Sequence, residues 1–105
     1  MTTESLTLKG LQKLIHDRYF PTDNARGTAG TFLYLTEEFG ELATALANNN
    51  RTDGTAPTPE ERANLEEEFA DVLAWLTTLA NINNIDFDRC LTKYTDPTRV
   101  HGFKV

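Results

Sequence analysis

Apolar residues recur at intervals of three and four along much of this chain, the spacing that places them on one face of an α-helix. The first such segment predicts a helix from about Thr7 to Tyr19, with Pro21 just beyond its end. Its apolar positions are Leu8, Leu11, Leu14 and Ile15. The next six residues, 22–27, are rich in turn formers and are expected to separate this helix from a second one.

The second helix is predicted from about Thr28 to Asn48, where Phe32, Leu35, Phe39, Leu42 and Leu46 form the apolar face. Residues 48–59 then shift to Asn, Thr, Gly and Pro without periodicity. This composition predicts a flexible connector.

A third helix begins with a recognisable start signal. Thr58 can cap it, Pro59 suits the first helical position, and Glu61 completes a capping box. The helix is expected to continue to about Asn83, with an apolar stripe at the spacing of a bundle helix. The stripe consists of Leu65, Phe69, Val72, Leu76 and Leu79.

The C-terminal part carries weaker signals. Asp86 can cap a short fourth helix that ends near Tyr94, and Pro97 prevents its continuation. Residues 95–105 are expected to form an irregular tail. The chain is therefore predicted to be a single all-α domain spanning residues 1–105, a small helical bundle of three main helices plus a short C-terminal helix. Since a domain this short buries a modest core, we expect oligomerisation to complete the bundle.

Composition and charge argue against several classes of function. Sixteen acidic residues against ten Lys and Arg give a formal charge of −6, without a basic run that could bind a nucleic-acid polymer. The N-terminus lacks a signal-peptide pattern and no 18-residue apolar stretch occurs, so we expect a cytoplasmic protein with no membrane partner. The single cysteine, Cys90, excludes an intrachain disulfide and a cysteine-rich zinc site.

Acidic residues occupy unexpected positions on two of the predicted helices. At about 100° per residue, Glu38 borders the apolar stripe of the second helix and Glu41 lies beside it. By the same geometry, Glu68 falls inside the apolar arc of the third helix, with Asp71 at its edge. Glu37, Glu66 and Glu67, taken individually, fit ordinary solvated faces.

Carboxylates placed near a core need a positive partner, because burying an unpaired one costs several kcal/mol. Lys and Arg are absent from residues 28–49, and the third helix has only Arg62 near its start. A hard divalent cation such as Mg²⁺, which takes oxygen ligands, is the economical partner. A di-iron site is disfavoured because neither His16 nor His101 lies three residues after a glutamate of these clusters.

The carboxylates form two motifs, Glu37-Glu38-Phe39-Gly40-Glu41 and Glu68-Phe69-Ala70-Asp71. Together they resemble the Glu-Glu-x-x-Glu and Glu-x-x-Asp motifs of MazG-type, all-α nucleotide pyrophosphohydrolases. The similarity extends through 26–32, 39–42 and 69–76 and covers about Leu8 to Tyr94.

This resemblance implies a metal site formed by Glu38, Glu41, Glu68 and Asp71. Glu37 would act in catalysis, by holding a second ion or by orienting the attacking water. The implied cofactor is Mg²⁺, for which Mn²⁺ can substitute, and the implied assembly is a homodimer or tetramer. The implied reaction converts a nucleoside or deoxynucleoside triphosphate to the monophosphate and pyrophosphate, for nucleotide pool control or house-cleaning. Candidate substrate-binding residues are Lys93, Arg26 and Asn83 for phosphate oxygens and Trp75 for the base.

Two alternatives stay open at the level of sequence. One is a catalytically silent helical protein that binds metal or nucleotide as an interaction partner. The other is a pyrophosphatase that acts on a different phosphoanhydride. The base and sugar preference, the physiological role and the number of metal ions are not encoded in these motifs.

Overall fold

Two long helices carry most of the structure. The computed structural model describes residues 6–99, in which α1 spans Leu8–Asn49, α2 spans Pro59–Ile82, α3 spans Phe87–Cys90 and α4 spans Thr92–Thr95. No β-strand forms within these residues, so the all-α prediction is confirmed. Among the same residues, every helix is too short or too polar to cross a bilayer.

The predicted end of the first helix near Tyr19 is wrong, whereas the predicted start of the second helix near Thr28 is confirmed by a break in helical geometry at Gly27. The chain stays helical through Pro21 and most of 22–27, and only Gly27 leaves helical geometry, with φ 80° and ψ 177°. The first two predicted helices are thus the two parts of α1, joined by a bend at Gly27. That backbone conformation is essentially restricted to glycine, which lacks the Cβ that would clash.

Tertiary contacts explain why the turn-forming composition does not end the helix. A proline removes one backbone hydrogen bond, to the carbonyl four residues earlier, so the following residues can still extend a helix. Asp23 is 6% exposed and binds Arg26 and Thr78. These contacts favour the helical conformation of 22–26 over the local turns that its composition suggests.

The start of α2 is confirmed in detail. The Thr58 hydroxyl accepts a hydrogen bond from Glu61 N at 3.1 Å, and the Glu61 carboxylate accepts one from Thr58 N at 2.9 Å. The helix ends at Ile82, where Asn83 is the C-cap, close to the predicted end.

The connector is irregular between Asn49 and Pro59, as predicted. Arg51 pairs with Glu61, and Asn49 Nδ2 donates to Glu61 O at 3.1 Å, so the start of the connector is tied to the first turn of α2. Its flexibility stays a prediction.

The predicted fourth helix is present as two short helices that meet at Leu91, and Asp86 caps the first of them. The part of the predicted tail from 100 to 105 lies outside the described residues.

The second part of α1 and α2 run antiparallel. Asn49 contacts Glu61 at one end, Tyr34 stacks on Trp75 further along, and Thr28 binds Asn83 at the other end. The first part of α1 packs against the end of α2 and the loop after it. There the Gln12 side chain donates to Ile85 O at 2.8 Å and accepts from Phe87 N at 2.8 Å.

The resulting core is small. Its buried apolar residues are Ile15, Leu35, Ala45, Leu65 and Ala80. Many larger apolar side chains remain exposed, including Phe32 at 55% and Phe69 at 55%. The chain therefore leaves apolar surface that its own core does not cover.

Gly27 offers a direct test of the bend. We expect Gly27→Ala to lower the free energy of unfolding by about 1–3 kcal/mol, because alanine at this φ and ψ is strained. Gly40→Ala is the matched control, since a methyl group added at either glycine would meet no atom within 4 Å and Gly40 is helical. It should instead stabilise the chain by about 0.5–1 kcal/mol. Urea denaturation of both variants measures the two effects, and equal effects would contradict the proposed role of the bend.

Candidate metal centre

Three carboxylates converge where α1 and α2 face each other. One oxygen each from Glu38, Glu41 and Glu68 lie within 4.8 Å of one another. Glu38 and Glu41 are three residues apart and so share a face of α1. The antiparallel packing of α2 brings Glu68 against that face.

Two carboxylate oxygens of these residues are buried without a hydrogen-bond donor among the described residues. Glu68 is 9% exposed, Glu38 is half-buried and Glu41 is exposed. Within residues 6–99, nothing donates to Glu38 Oε2 or Glu68 Oε2. The other oxygen of Glu68 accepts a 3.5 Å hydrogen bond from Asn64 Nδ2, at the outer limit for such a bond. Buried polar atoms of folded proteins are nearly always satisfied, so these two require an explanation.

The surroundings of Glu38 oppose its ionisation. Burial is the main cause that raises the pKa of Glu38 from 4.5 to about 7. The neighbouring carboxyl groups of Glu41 and Glu68, with which it can share a proton, and the charges of Glu41 and Asp71 raise the pKa further. Each of these causes disfavours the ionised form of Glu38.

These features fit a divalent cation. Among the described residues, no lysine or arginine forms an ion pair with Glu38, Glu41, Glu68 or Asp71. A cation would satisfy the two buried oxygens and offset the repulsion among the carboxylates. The donor set consists of carboxylate oxygens, which suit Mg²⁺ or Mn²⁺ rather than a softer metal.

The remaining predicted acidic residues lie beside this cluster. Asp71 is exposed, three residues after Glu68 on α2, and its charge acts on Glu38. Glu37 is exposed and lies outside the group of three converging carboxylates. Their roles as fourth ligand and catalytic residue stay predictions.

Two of the four predicted substrate-binding residues, Arg26 and Trp75, lie together, with the guanidinium carbon 4.9 Å from the indole centroid. Trp75 lies one helical turn after Asp71 and two turns after Glu68, on the same face of α2. Arg26 is held by two neighbours: its Nη2 lies 2.5 Å from Asp23 Oδ1 and its Nε donates to Thr31 Oγ1 at 3.1 Å. Asn83 donates to Thr28 Oγ1 and Leu79 O, as expected of a cap. Lys93 is exposed, with its Nζ 5.3 Å from the Tyr94 ring centroid.

A cavity of about 290 Å³ lies between the first part of α1 and the side of α2 that carries Trp75 and Thr78. Its lining includes Ile15, Tyr19, Asp23, Arg26, Trp75 and Thr78. It therefore contains two of the predicted substrate-binding residues, Arg26 and Trp75. A larger cavity of about 840 Å³ lies at the start of α1. The lysines there, Lys9 and Lys13, are paired with Asp86 and Asp17.

Sequence reasoning missed Asn64 and Asp23. Asn64 is four residues before Glu68, so the helical repeat could have identified it as a neighbour. The burial of Asp23 depends on a contact with Thr78, 55 residues away, and no local pattern signals it.

The comparison with known families agrees with the geometry of the carboxylates. The family model described as the MazG nucleotide pyrophosphohydrolase domain matches residues 26–97, which include Glu37, Glu38, Glu41, Glu68 and Asp71. No curated protein matches the chain. The family match covers well over half of the sequence, and this chain belongs to the MazG nucleotide pyrophosphohydrolase family.

Proposed function

We propose that this protein hydrolyses nucleoside triphosphates to monophosphates and pyrophosphate with the help of Mg²⁺, for which Mn²⁺ can substitute. The observation that carries the proposal is the pair of buried, unsatisfied carboxylate oxygens of Glu38 and Glu68 in a chain of this family. We propose the cytoplasm as its compartment, because an enzyme that cleans or adjusts the nucleotide pool would meet its substrates there.

The residues that would hold the cation are Glu38, Glu41 and Glu68, with Asp71 beside them. When bound, Mg²⁺ supplies charge neutralisation at phosphate oxygens and lowers the pKa of a bound water. Because three carboxylates contribute strongly negative charge, the site needs the cation before it can accept an anionic triphosphate.

The chain's own side chains would then bind and orient the substrate. Glu37 is exposed one residue before Glu38, and we assign to it the orientation of the attacking water. Lys93 forms no ion pair within the described residues, and we assign to it a contact with phosphate oxygens. Asn83 is a second candidate for such a contact, although its amide group already bonds to Thr28 and Leu79.

We assign the base to the cavity beside Trp75. The indole is a flat apolar surface, and stacking on an aromatic side chain suits every nucleobase. Because Trp75 lies one turn from Asp71, a base stacked on it would lie on the same side of α2 as the carboxylates that would receive the phosphates. The residues that line this cavity would determine which base is preferred.

The apolar surface supports a homodimer, or a tetramer built from dimers. One exposed apolar stripe lies on α1 at successive intervals of seven residues and consists of Phe32, Phe39 and Leu46. A second stripe lies on α2 and consists of Phe69, Leu73 and Leu76. At about 100° per residue, each stripe lies about a quarter turn from the contact between the helices. Because the helices are antiparallel, both stripes face the same side, opposite the carboxylates.

A second copy of the chain is the occupant that this face fits. The six side chains are between 38% and 55% exposed. Together they expose on the order of 400–500 Å² of apolar surface. This is close to the apolar share of a standard interface of about 800 Å² per partner. Two helices from each copy would form a four-helix bundle.

The reaction is tested by incubating the protein with a panel of ribo- and deoxyribonucleoside triphosphates, with Mg²⁺ or EDTA, and identifying the products by chromatography. Monophosphate and pyrophosphate should appear only with the metal. Glu68→Gln should reduce turnover by about three orders of magnitude, because one ligand of the cation is lost. Glu67→Gln, one residue away and exposed, is the control and should retain activity.

Release of orthophosphate and diphosphate would contradict the assigned bond, and metal binding without cleavage would favour a silent binding protein. Cleavage of only another phosphoanhydride would favour the second alternative.

The pKa of Glu38 predicts how stability depends on pH in EDTA. The folded protein keeps the Glu38 proton up to a pH of about 7, whereas the unfolded chain releases it near 4.5. The free energy of unfolding should therefore fall as pH rises through this window. Glu38→Gln lacks this titration and should lose less stability, while Glu66→Gln should follow the wild type. Mg²⁺ should raise the melting temperature of the wild type at pH 8 much more than that of Glu38→Gln. Parallel curves for all three proteins would contradict the cluster as a cation site.

Two adjacent residues test the apolar face. Phe32→Glu places a charge on the stripe and should convert the protein to a monomer, because the charge would be desolvated in the interface. Leu33→Glu, on a residue that is 71% exposed and about 100° away on α1, should leave the dimer intact. Sedimentation velocity measures both outcomes. A monomeric wild type, or equal dissociation of both variants, would contradict this interface.

A further inference from the structure

A charged pair, with Asp23 buried and the Arg26 side chain 22% exposed, lines the proposed base cavity. Asp23 is 6% exposed, yet its Oδ1 lies 2.5 Å from Arg26 Nη2 and its Oδ2 accepts a 3.4 Å hydrogen bond from Thr78 Oγ1. Removing such a pair from water costs about as much free energy as its attraction returns. Its contribution to folding is therefore a poor explanation for its presence.

The pair fixes the position of an aromatic stack. The rings of Tyr34 and Trp75 are stacked, with centroids 5.0 Å apart and an interplanar angle of 11°. The guanidinium carbon of Arg26 lies 4.9 Å from the Trp75 centroid and 5.7 Å from the Tyr34 centroid. Groups on opposite faces of the indole would be much further apart than 5.7 Å, so Arg26 and Tyr34 lie on the same side of Trp75.

The orientation of Arg26 is itself determined by two neighbours. Asp23 binds one end of the guanidinium, and Thr31, which is fully buried, accepts a hydrogen bond from Nε at 3.1 Å. A planar guanidinium held at two points cannot rotate away from the indole. Asp23 and Arg26 therefore restrain the indole that lines the cavity.

We propose that Asp23 and Arg26 are positioning residues that hold Trp75 in place for stacking on a nucleobase. The proposal rests on the function proposed above. Both residues act through Trp75, so they control the binding of a flat heteroaromatic ring and leave the chemistry at the phosphates unchanged. The structure thus gives Arg26 a different role from the phosphate contact that the sequence suggests.

Tryptophan fluorescence provides a direct readout, because Trp75 is the only tryptophan in the chain. The wild type is titrated with nucleoside triphosphates and, as a probe without a base, with inorganic tripolyphosphate. Ca²⁺ replaces Mg²⁺ to slow turnover during the titration. Nucleotides should quench Trp75 and tripolyphosphate should not. Binding of tripolyphosphate is followed separately by calorimetry.

Asp23→Asn keeps the shape of the side chain and removes its charge. It should weaken nucleotide binding about tenfold, the scale of one lost stacking interaction, with unchanged affinity for tripolyphosphate. In steady state, KM should rise by a similar factor while kcat stays within about twofold. Asp17→Asn breaks an exposed ion pair with Lys13 on the same helix and should change none of these values.

A second variant covers the case in which Asp23→Asn does not fold. Arg26→Lys keeps the charge next to Asp23 but loses the planar group on the indole, and it should also weaken nucleotide binding selectively. Equal losses of affinity for nucleotide and tripolyphosphate, or a fall in kcat at constant KM, would overturn the positioning role. If the wild type turns over nucleotides but both variants match Asp17→Asn, only this inference fails. If the wild type neither binds nor cleaves them, the proposed function fails as well.

Discussion

Repulsion among carboxylates that α1 and α2 bring together is the constraint around which this molecule is organised. Glu38, Glu41 and Glu68 meet between two helices whose packing requires them to approach. Within the described residues no Lys or Arg forms an ion pair with this group, and burial, followed by the neighbouring carboxyl groups, raises the pKa of Glu38 to about 7. A protein that needed only a stable helical pair would place apolar residues at Glu38 and Glu68. Their retention at a cost to folding is the physical argument for a cation at this position.

The two sides of the antiparallel helix pair differ in their exposed residues. One side carries the carboxylates, the Tyr34–Trp75 stack and the cavity, and the first part of α1 packs there. The other side carries the exposed apolar stripes that include Phe32 and Phe69, where we propose that a second copy of the chain binds. The bend at Gly27 makes this division possible, because it turns residues 8–26 back toward the end of α2 on the side of Trp75.

Sequence patterns correctly predicted the features that depend on residues within a few helical turns of one another. The helical repeat placed Glu68 within the apolar arc of its helix, and the structure finds it 9% exposed. The capping box at Thr58 and Glu61 formed as the sequence indicated, since its groups lie within one turn. Pro21 and the polar residues after it misled the prediction because contacts distant in sequence decide their conformation. The contact of Asp23 with Thr78 joins residues 55 positions apart, and Asp23 in turn binds Arg26, whose proposed positioning role therefore has no local sequence signal. The relative orientation of the two exposed apolar stripes likewise follows from the direction in which the helices pack, which periodicity alone leaves undetermined.

The central claim is that the carboxylates of Glu38, Glu41 and Glu68 hold a divalent cation. Crystals grown with Mn²⁺ test this most directly, because the anomalous scattering of manganese locates the ion without reference to activity. We expect a strong anomalous peak at bonding distance from at least one oxygen of each of the three residues. A peak at a different site, or crystals saturated with Mn²⁺ that show no peak between α1 and α2, would contradict the cation site.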